Sequence, residues 1–381
     1  MQITTKIVQA GLVTDKTTGA ISTPIYQTAT FRHPALGEST GYDYSRTKNP
    51  TRQAVEIAIA TLEEGDAGYA FASGMAAITA IAMLYGSGAH LIITEDCYGG
   101  TYRVFEKIFK QFGLQVSYVN TADVQAVRSA ITGDTRAIFL ETPTNPLMKI
   151  ADIQALVALA KEHQLQTIVD NTFLTPYLQK PLSLGADIVI HSGSKYLAGH
   201  NDVICGLIVA KGAELCSKLA FIQNSTGMIL GPQDSWLLLR GIKTLAVRLD
   251  RQQENTLIIA QWLEKQKWVN KVYYPGLESS PQKELQNRQA SGYGAMLSFE
   301  VCDAKLVPQI LQRLKLIQFA ESLGGVESLI TFPFVQTHAD IPLEIRLKLG
   351  VNEQLLRFSV GIESVTDLIE DLQQAVVHEI S

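Results

Sequence analysis

Seven short, mostly apolar runs recur through the first 210 residues, at 67–72, 89–94, 115–119, 136–140, 166–170, 187–191 and 204–210. Each has the length of a strand and is too short for a helix of usual size. Between most of them lie stretches with apolar residues at helical spacing, at 75–85, 101–112, 123–131 and 152–163. Strands apolar on both faces and separated by helices specify a mostly parallel sheet covered on both sides. The expectation is an α/β chain with a mostly parallel seven-stranded sheet. Ligands of such sheets bind beyond the carboxyl ends of the strands, so the residues just after each run are the candidates for chemistry.

The flanking regions read differently. Residues 1–50 carry little periodicity and much Thr, Pro, Gly and Tyr, which predicts a segment lying across another surface such as a neighbouring subunit. From Arg52, the residues Val55, Ile59 and Leu62 mark a helix. A long helical pattern runs from Gln233 to Lys265, weakened by Gly241, and is expected to join two domains. Beyond it, strand-like stretches at 270–274, 295–301, 316–319, 329–332 and 355–360 mix with helices near 304–313 and 364–378, the pattern of a smaller α+β domain. At 381 residues the chain has about twice the usual size of one domain. The expected division is 1–50, 51–245 and 246–381.

Composition narrows the function classes. A net charge of −5 lacks the basic excess of a nucleic-acid binder. No apolar run approaches the ~20 residues of a membrane span, and the N-terminus shows no secretion signal. Four cysteines, at 97, 205, 216 and 302, have no metal-binding or disulfide spacing. These features together predict a cytoplasmic enzyme without a metal site.

The strand ends hold the chemistry. After the sixth run comes His191-Ser192-Gly193-Ser194-Lys195, which places one lysine just past a buried strand. Partial burial would lower its pKa and free the amine to attack a carbonyl, although taken alone an ordinary loop lysine is the plainer reading. The fifth run ends in Asp170, 25 residues before Lys195, a separation that fits one crossover and one further strand. Ser73-Gly74-Met75 opens a helix, as either a simple cap or a phosphate cradle. Tyr98 could lay its ring on a flat ligand or sit half-buried in a turn, and Asn145 stands in a loop stiffened by Pro143 and Pro146. Tyr44 and Arg46 offer a hydroxyl and a planar cation to an anion, or form a polar turn before a helix. A carboxylate for a pyridinium nitrogen and a lysine for a Schiff base are the two anchors that pyridoxal phosphate demands. Ser192 and Ser194, with the Gly74 and Met75 amides, would hold its phosphate.

These motifs also carry a family likeness. Tyr-Ser-Arg-Thr-Lys-Asn-Pro-Thr (44–51), Ser-Gly-Met-Ala-Ala (73–77), Tyr-Gly-Gly-Thr (98–101), Glu-Thr-Pro-Thr-Asn-Pro (141–146), Val-Asp-Asn-Thr (169–172), His-Ser-Gly-Ser-Lys-Tyr-Leu-Ala-Gly-His (191–200), Ala-Glu-Ser-Leu-Gly-Gly-Val-Glu-Ser (320–328), Gln-Thr-His (336–338) and Arg-Phe-Ser-Val-Gly (357–361) resemble the pyridoxal-phosphate enzymes of Cys/Met metabolism. The resemblance covers nearly the whole chain and implies the type I fold of pyridoxal-phosphate transferases. It makes Lys195 the Schiff-base lysine, Asp170 the pyridinium partner and Tyr98 the stacking phenol and proton carrier. Gly74, Met75, Ser192 and Ser194 would bind phosphate, with Tyr44 and Arg46 reaching in from an adjacent subunit of a homotetramer. Asn145 would approach the ring hydroxyl or the substrate carboxylate, Arg357 would clamp that carboxylate, and Ser322 would steady it. Many relatives have Thr where Ser194 stands.

Within the family, Glu321 matches members that act at the γ-carbon, and residues 327–342 look most like γ-synthases and acylhomoserine sulfhydrylases. The expected activity is γ-replacement on an O-acylhomoserine by cysteine to form cystathionine. Cystathionine γ- or β-lyase and O-acetylhomoserine sulfhydrylase are the alternatives. A different class is also open: Ser192 and Lys195 satisfy the S-x-x-K pattern of serine acyl hydrolases, but the chain lacks the accompanying Ser-Asp-Asn and Lys-Thr-Gly.

Overall fold

The computed structural model describes residues 1–12, 15–339 and 341–376. All seven early runs are strands: β1 (Ala67–Phe71), β2 (His90–Thr94), β3 (Gln115–Val119), β4 (Thr135–Glu141), β5 (Gln166–Asp170), β6 (Ile188–Ser192) and β7 (Gly206–Ala210). They form one sheet in the order β1-β7-β6-β5-β4-β2-β3. Pairing is parallel from β3 across to β6, and only β7 runs against its neighbours. The side chains alternate between two apolar layers. Ile92, Ile138, Leu140, Val169 and Val189 face one side, and Leu91, Ile93, Phe139, Ile168 and Ile190 face the other. Burial on both faces explains why the inner runs are almost continuously apolar, whereas the edge strand β3 is only partly buried.

The second sheet is smaller, with strands β8 (Val269–Tyr273), β9 (Met296–Val301), β10 (Gln318–Phe319), β11 (Leu329–Thr331) and β12 (Leu355–Ser359), in the order β10-β11-β12-β9-β8. It packs on its own core, which includes Phe299, Leu356, Phe358, Leu368 and Leu372. The last helix spans Val365–Ala375; residues 377 and 378 of the expected helix lie outside the described residues. Among the described residues no helix is long and apolar enough to cross a membrane.

Two expectations need correction. The pattern 233–265 is two helices, Pro232–Ile242 and Leu245–Leu263. A Cβ on Gly241 would lie 2.2 Å from the Ala198 carbonyl oxygen, so the first helix presses directly on that backbone. The Gly241 carbonyl then accepts from Thr244 and from the Arg248 guanidinium, which also reaches the Tyr196 carbonyl, and the axis breaks there. The helix expected over 101–112 runs from Gly99 to Lys107 and ends in a separate 3-10 turn, Phe109–Phe112. The N-terminal segment lies in part on its own chain. Residues Ile3–Val8 form a helix whose Ile7 is fully buried in the main core, and Thr51 hydroxyl donates to the Pro24 carbonyl. Farther along, Ile21 and Leu36 stand almost entirely exposed. Helices at Ala213–Thr226, Lys283–Gln289 and Leu343–Leu349 add to those expected.

Candidate active site

The carboxyl ends of the strands open on a cleft of about 790 Å³, closed on its far side by residues of the smaller sheet. At one end lies the helix Gly74–Ala82. The Ser73 hydroxyl caps it by accepting from the Ala76 amide at 3.0 Å. The amides of Gly74 and Met75, the first two of the helix, have no carbonyl a turn earlier to bind, and they point the positive end of the helix into the cleft. A Cβ on Gly74 would sit 3.1 Å from both Cβ and Oγ of Ser192, so glycine lets the two loops approach. Ser194 also lines the cleft, but its hydroxyl is engaged on both sides by Cys205, accepting from the amide at 2.8 Å and donating to the carbonyl at 3.2 Å.

Lys195 stands in the turn after β6, with its amide donating to the Ser192 carbonyl. Its Nζ donates to the Ser322 hydroxyl at 2.9 Å, which brings the two sheets together at this point. Burial, and secondarily the Arg357 guanidinium, lower its pKa to about 8, while Glu321 opposes the shift. Among the described residues this ammonium hydrogen-bonds Ser322 and not Ser192, which does not favour the S-x-x-K hydrolase reading. Ser322 has φ of +91°, an uncommon backbone for a residue with a side chain. It is held there by Arg357, whose Nη2 donates to its carbonyl.

Asp170, the last residue of β5, accepts from the Thr172 amide at 3.0 Å and from the Thr172 hydroxyl. Burial raises its carboxyl pKa even so, and a cation on the carboxylate would restore its charged form. Tyr98 lines the same cleft, 40% exposed, at the start of the helix Gly99–Lys107. Arg357, on β12, is 2% exposed; Nη1 donates to Asn145 Oδ1 at 3.0 Å, and its buried Nε has no partner. Asn145 is thereby fixed beside the guanidinium. Glu321 lines the opening and raises the pKa of both Lys195 and Arg357.

Eleven of the thirteen expected site residues therefore border one cleft. Tyr44 and Arg46 do not. Arg46 donates to the carbonyl and side-chain oxygens of Asn224, at 2.7 and 2.9 Å, and its guanidinium lies over the half-exposed Tyr44 ring. Three residues went unassigned from sequence: Glu141, Thr172 and Thr337 also border the cleft. The signal for Glu141 was its place at the end of β4, directly in register with Asp170.

The donor set fits pyridoxal phosphate. Unpaired helix amides suit a phosphate, a lowered lysine suits an aldehyde, and a buried carboxyl suits a ring cation. Comparison with known proteins agrees. The family model for Cys/Met metabolism PLP-dependent enzymes matches residues 4–377. A cystathionine gamma-lyase of Bacillus subtilis is 51% identical, covering 99% of each chain. A cystathionine gamma-synthase/O-acetylhomoserine (thiol)-lyase of the same organism is 52% identical over 98% of this chain and 96% of its own. A cystathionine beta-lyase of Lactococcus lactis is 49% identical over 98% of both. The crystal structure of cystathionine gamma-lyase from Lactobacillus plantarum, complexed with L-serine, superposes with a TM-score of 0.96 at 48% identity, covering 98% of each chain. The chain belongs to the pyridoxal-phosphate-dependent enzymes of Cys/Met metabolism.

Proposed function

We propose that this enzyme makes the Cγ–S bond of cystathionine, replacing the acyl group of an O-acylhomoserine with cysteine. The observation that carries the reading is Glu321, a carboxylate at the cleft opening, with Arg357 buried below it. Arg357 suits the α-carboxylate of a first amino acid, and Glu321 suits the ammonium group of a second. Sulfide as the incoming nucleophile would have no use for that carboxylate. The same geometry suits cystathionine entering whole, so γ-elimination is the second reading, favoured by the gamma-lyase relatives.

Bound pyridoxal phosphate supplies an electron sink for the pair left when a proton leaves the α-carbon. The Gly74 and Met75 amides and the Ser192 hydroxyl would hold its phosphate, with Tyr44 and Arg46 of the partner subunit completing the cradle in a homotetramer. Ser194 would join them by turning its hydroxyl from the Cys205 carbonyl. Asp170 would keep a proton on the ring nitrogen, and Tyr98 would cover the ring and assist proton movement near the leaving group. Lys195, neutral more readily than an ordinary lysine, would take the α-proton and carry it away. A second removal, at Cβ, would then let the γ-substituent depart. Arg357, braced by Asn145 and Ser322, orients the substrate so that the bond to be broken faces Lys195.

Product analysis tests the reading. Incubation with O-acylhomoserine and cysteine should give cystathionine faster than cystathionine alone is consumed. Release of cysteine with a four-carbon oxo acid as the dominant reaction would favour the lyase. Release of homocysteine with a three-carbon oxo acid would move the cleavage to the β-carbon and end both readings.

A further inference from the structure

A buried acid that the reaction above does not use stands in the middle of the site. Glu141 closes β4 and is almost fully buried. Its amide donates to the Thr94 hydroxyl at 3.1 Å, fixing the strand end. Oε2 accepts from the Tyr98 amide at 2.9 Å, and Oε1 accepts from the Asn145 amide at 3.0 Å. One carboxylate thus grips two loops that follow different strands. Asn145 in turn holds Arg357 through Oδ1, and its carbonyl accepts from His338 Nε2.

We propose that Glu141 is a positioning residue that sets the spacing between the Tyr98 ring and the Arg357–Asn145 pair. Glu141 and Asp170 are register partners on one face of the sheet, so their carboxyl groups are neighbours in a buried setting. Burial, with Asp170 next, raises the Glu141 pKa, and the two backbone amides oppose that shift. Two converging N–H donors need an acceptor at each position. A glutamine there supplies one oxygen and turns its own N–H₂ group against the other amide. Either Tyr98 or Asn145 would then shift, and with it the ring cover or the carboxylate clamp.

The inference rests on the roles given above to Tyr98 and Arg357, and it holds for either bond-making or bond-breaking at Cγ. Its test uses the cofactor-loaded enzyme without substrate, followed by kinetics. The visible circular dichroism of the bound pyridoxal phosphate reports how rigidly the ring is covered. Glu141→Gln should weaken that band while retaining a full complement of cofactor, and should raise KM for the amino-acid substrate about tenfold with a smaller change in kcat. Glu141→Asp keeps the carboxylate on a shorter stem, so both effects should recur in smaller measure; it is also the variant to read where Glu141→Gln does not fold. An unaltered band together with an unaltered KM in a folded variant overturns the proposal. Tyr98→Leu and Arg357→Ala separate the two levels. The first should weaken the band and slow turnover without raising KM, and the second should raise KM without weakening the band. If neither does so, the roles of those residues fall, and the clamp falls with them.

Discussion

Lys195 is the group whose ordinary chemistry this fold alters most directly, and its amine can be titrated without turnover. In the cofactor-free protein its pKa is lowered from 10.5 to about 8. At about pH 7 the neutral amine is then about one-tenth of the population, against about one in 3,000 for an unperturbed lysine, a gain of roughly 300-fold. The sign follows from the causes. Burial penalises the ammonium form, and Arg357 adds like-charge repulsion, whereas Glu321 stabilises it. Acylation of the cofactor-free protein with a small amine-directed reagent, from about pH 6 to about pH 10, should give a midpoint near 8 at Lys195 when peptides are read by mass spectrometry. The exposed Lys218, paired with Glu214 on its own helix, provides the surface reference. Arg357→Ala should move the Lys195 midpoint upward and Glu321→Gln should move it downward. A midpoint coinciding with that of Lys218, or a shift of both variants in one direction, would refute the electrostatic account.

Two further outcomes test the site from other sides. Arg357→Ala removes a buried, doubly hydrogen-bonded guanidinium and should cost about 2–5 kcal/mol of substrate binding, seen as a KM increase of at least about thirtyfold. Arg357→Lys should recover only part of it because the planar fork is lost, and a KM equal to the parent in both variants would place the carboxylate elsewhere. His338 donates through Nε2 to the Asn145 carbonyl, and its Nδ1 lies 2.9 Å from the Thr337 hydroxyl, which can donate to the neutral ring. Burial lowers its pKa to about 4, so between about pH 6.5 and pH 4 the unfolded chain binds a proton that the folded chain does not. The folded state should lose up to about 3 kcal/mol across that window as pH falls. His338→Gln, which retains an N–H donor, should flatten this dependence in urea unfolding; identical pH dependence in parent and variant would exclude His338 as its source.

The large sheet was legible because its signal is local. A strand buried on both faces must be apolar at successive positions, and the inner runs, such as those of β6 and β7, show this without reference to any other; the edge strand β3, only partly buried, shows it least. The places of Asp170 and Lys195 were legible for the same reason, since each follows directly on such a run. Helix boundaries were less so. Gly241 weakens the pattern without placing a break, which comes from Ala198 pressing on Gly241 and from Arg248 reaching back to Tyr196. The helix Ala213–Thr226 escaped because Phe221 faces outward and blurs the stripe formed by Leu215 and Leu219.

What the amino-acid order determined by itself was the run of strands and helices, the chemistry at their ends and the family likeness. Docking of the two sheets decided what those groups touch. Lys195 meets Ser322 across 127 residues of chain, and Arg357 meets Asn145 across 212. The lowered lysine and the positive φ of Ser322 depend on such encounters, and the grip of Glu141 on two loops depends on the pairing of strands within the large sheet. Periodicity reports only on near neighbours along the chain, whereas desolvation and repulsion depend on whatever the fold packs alongside.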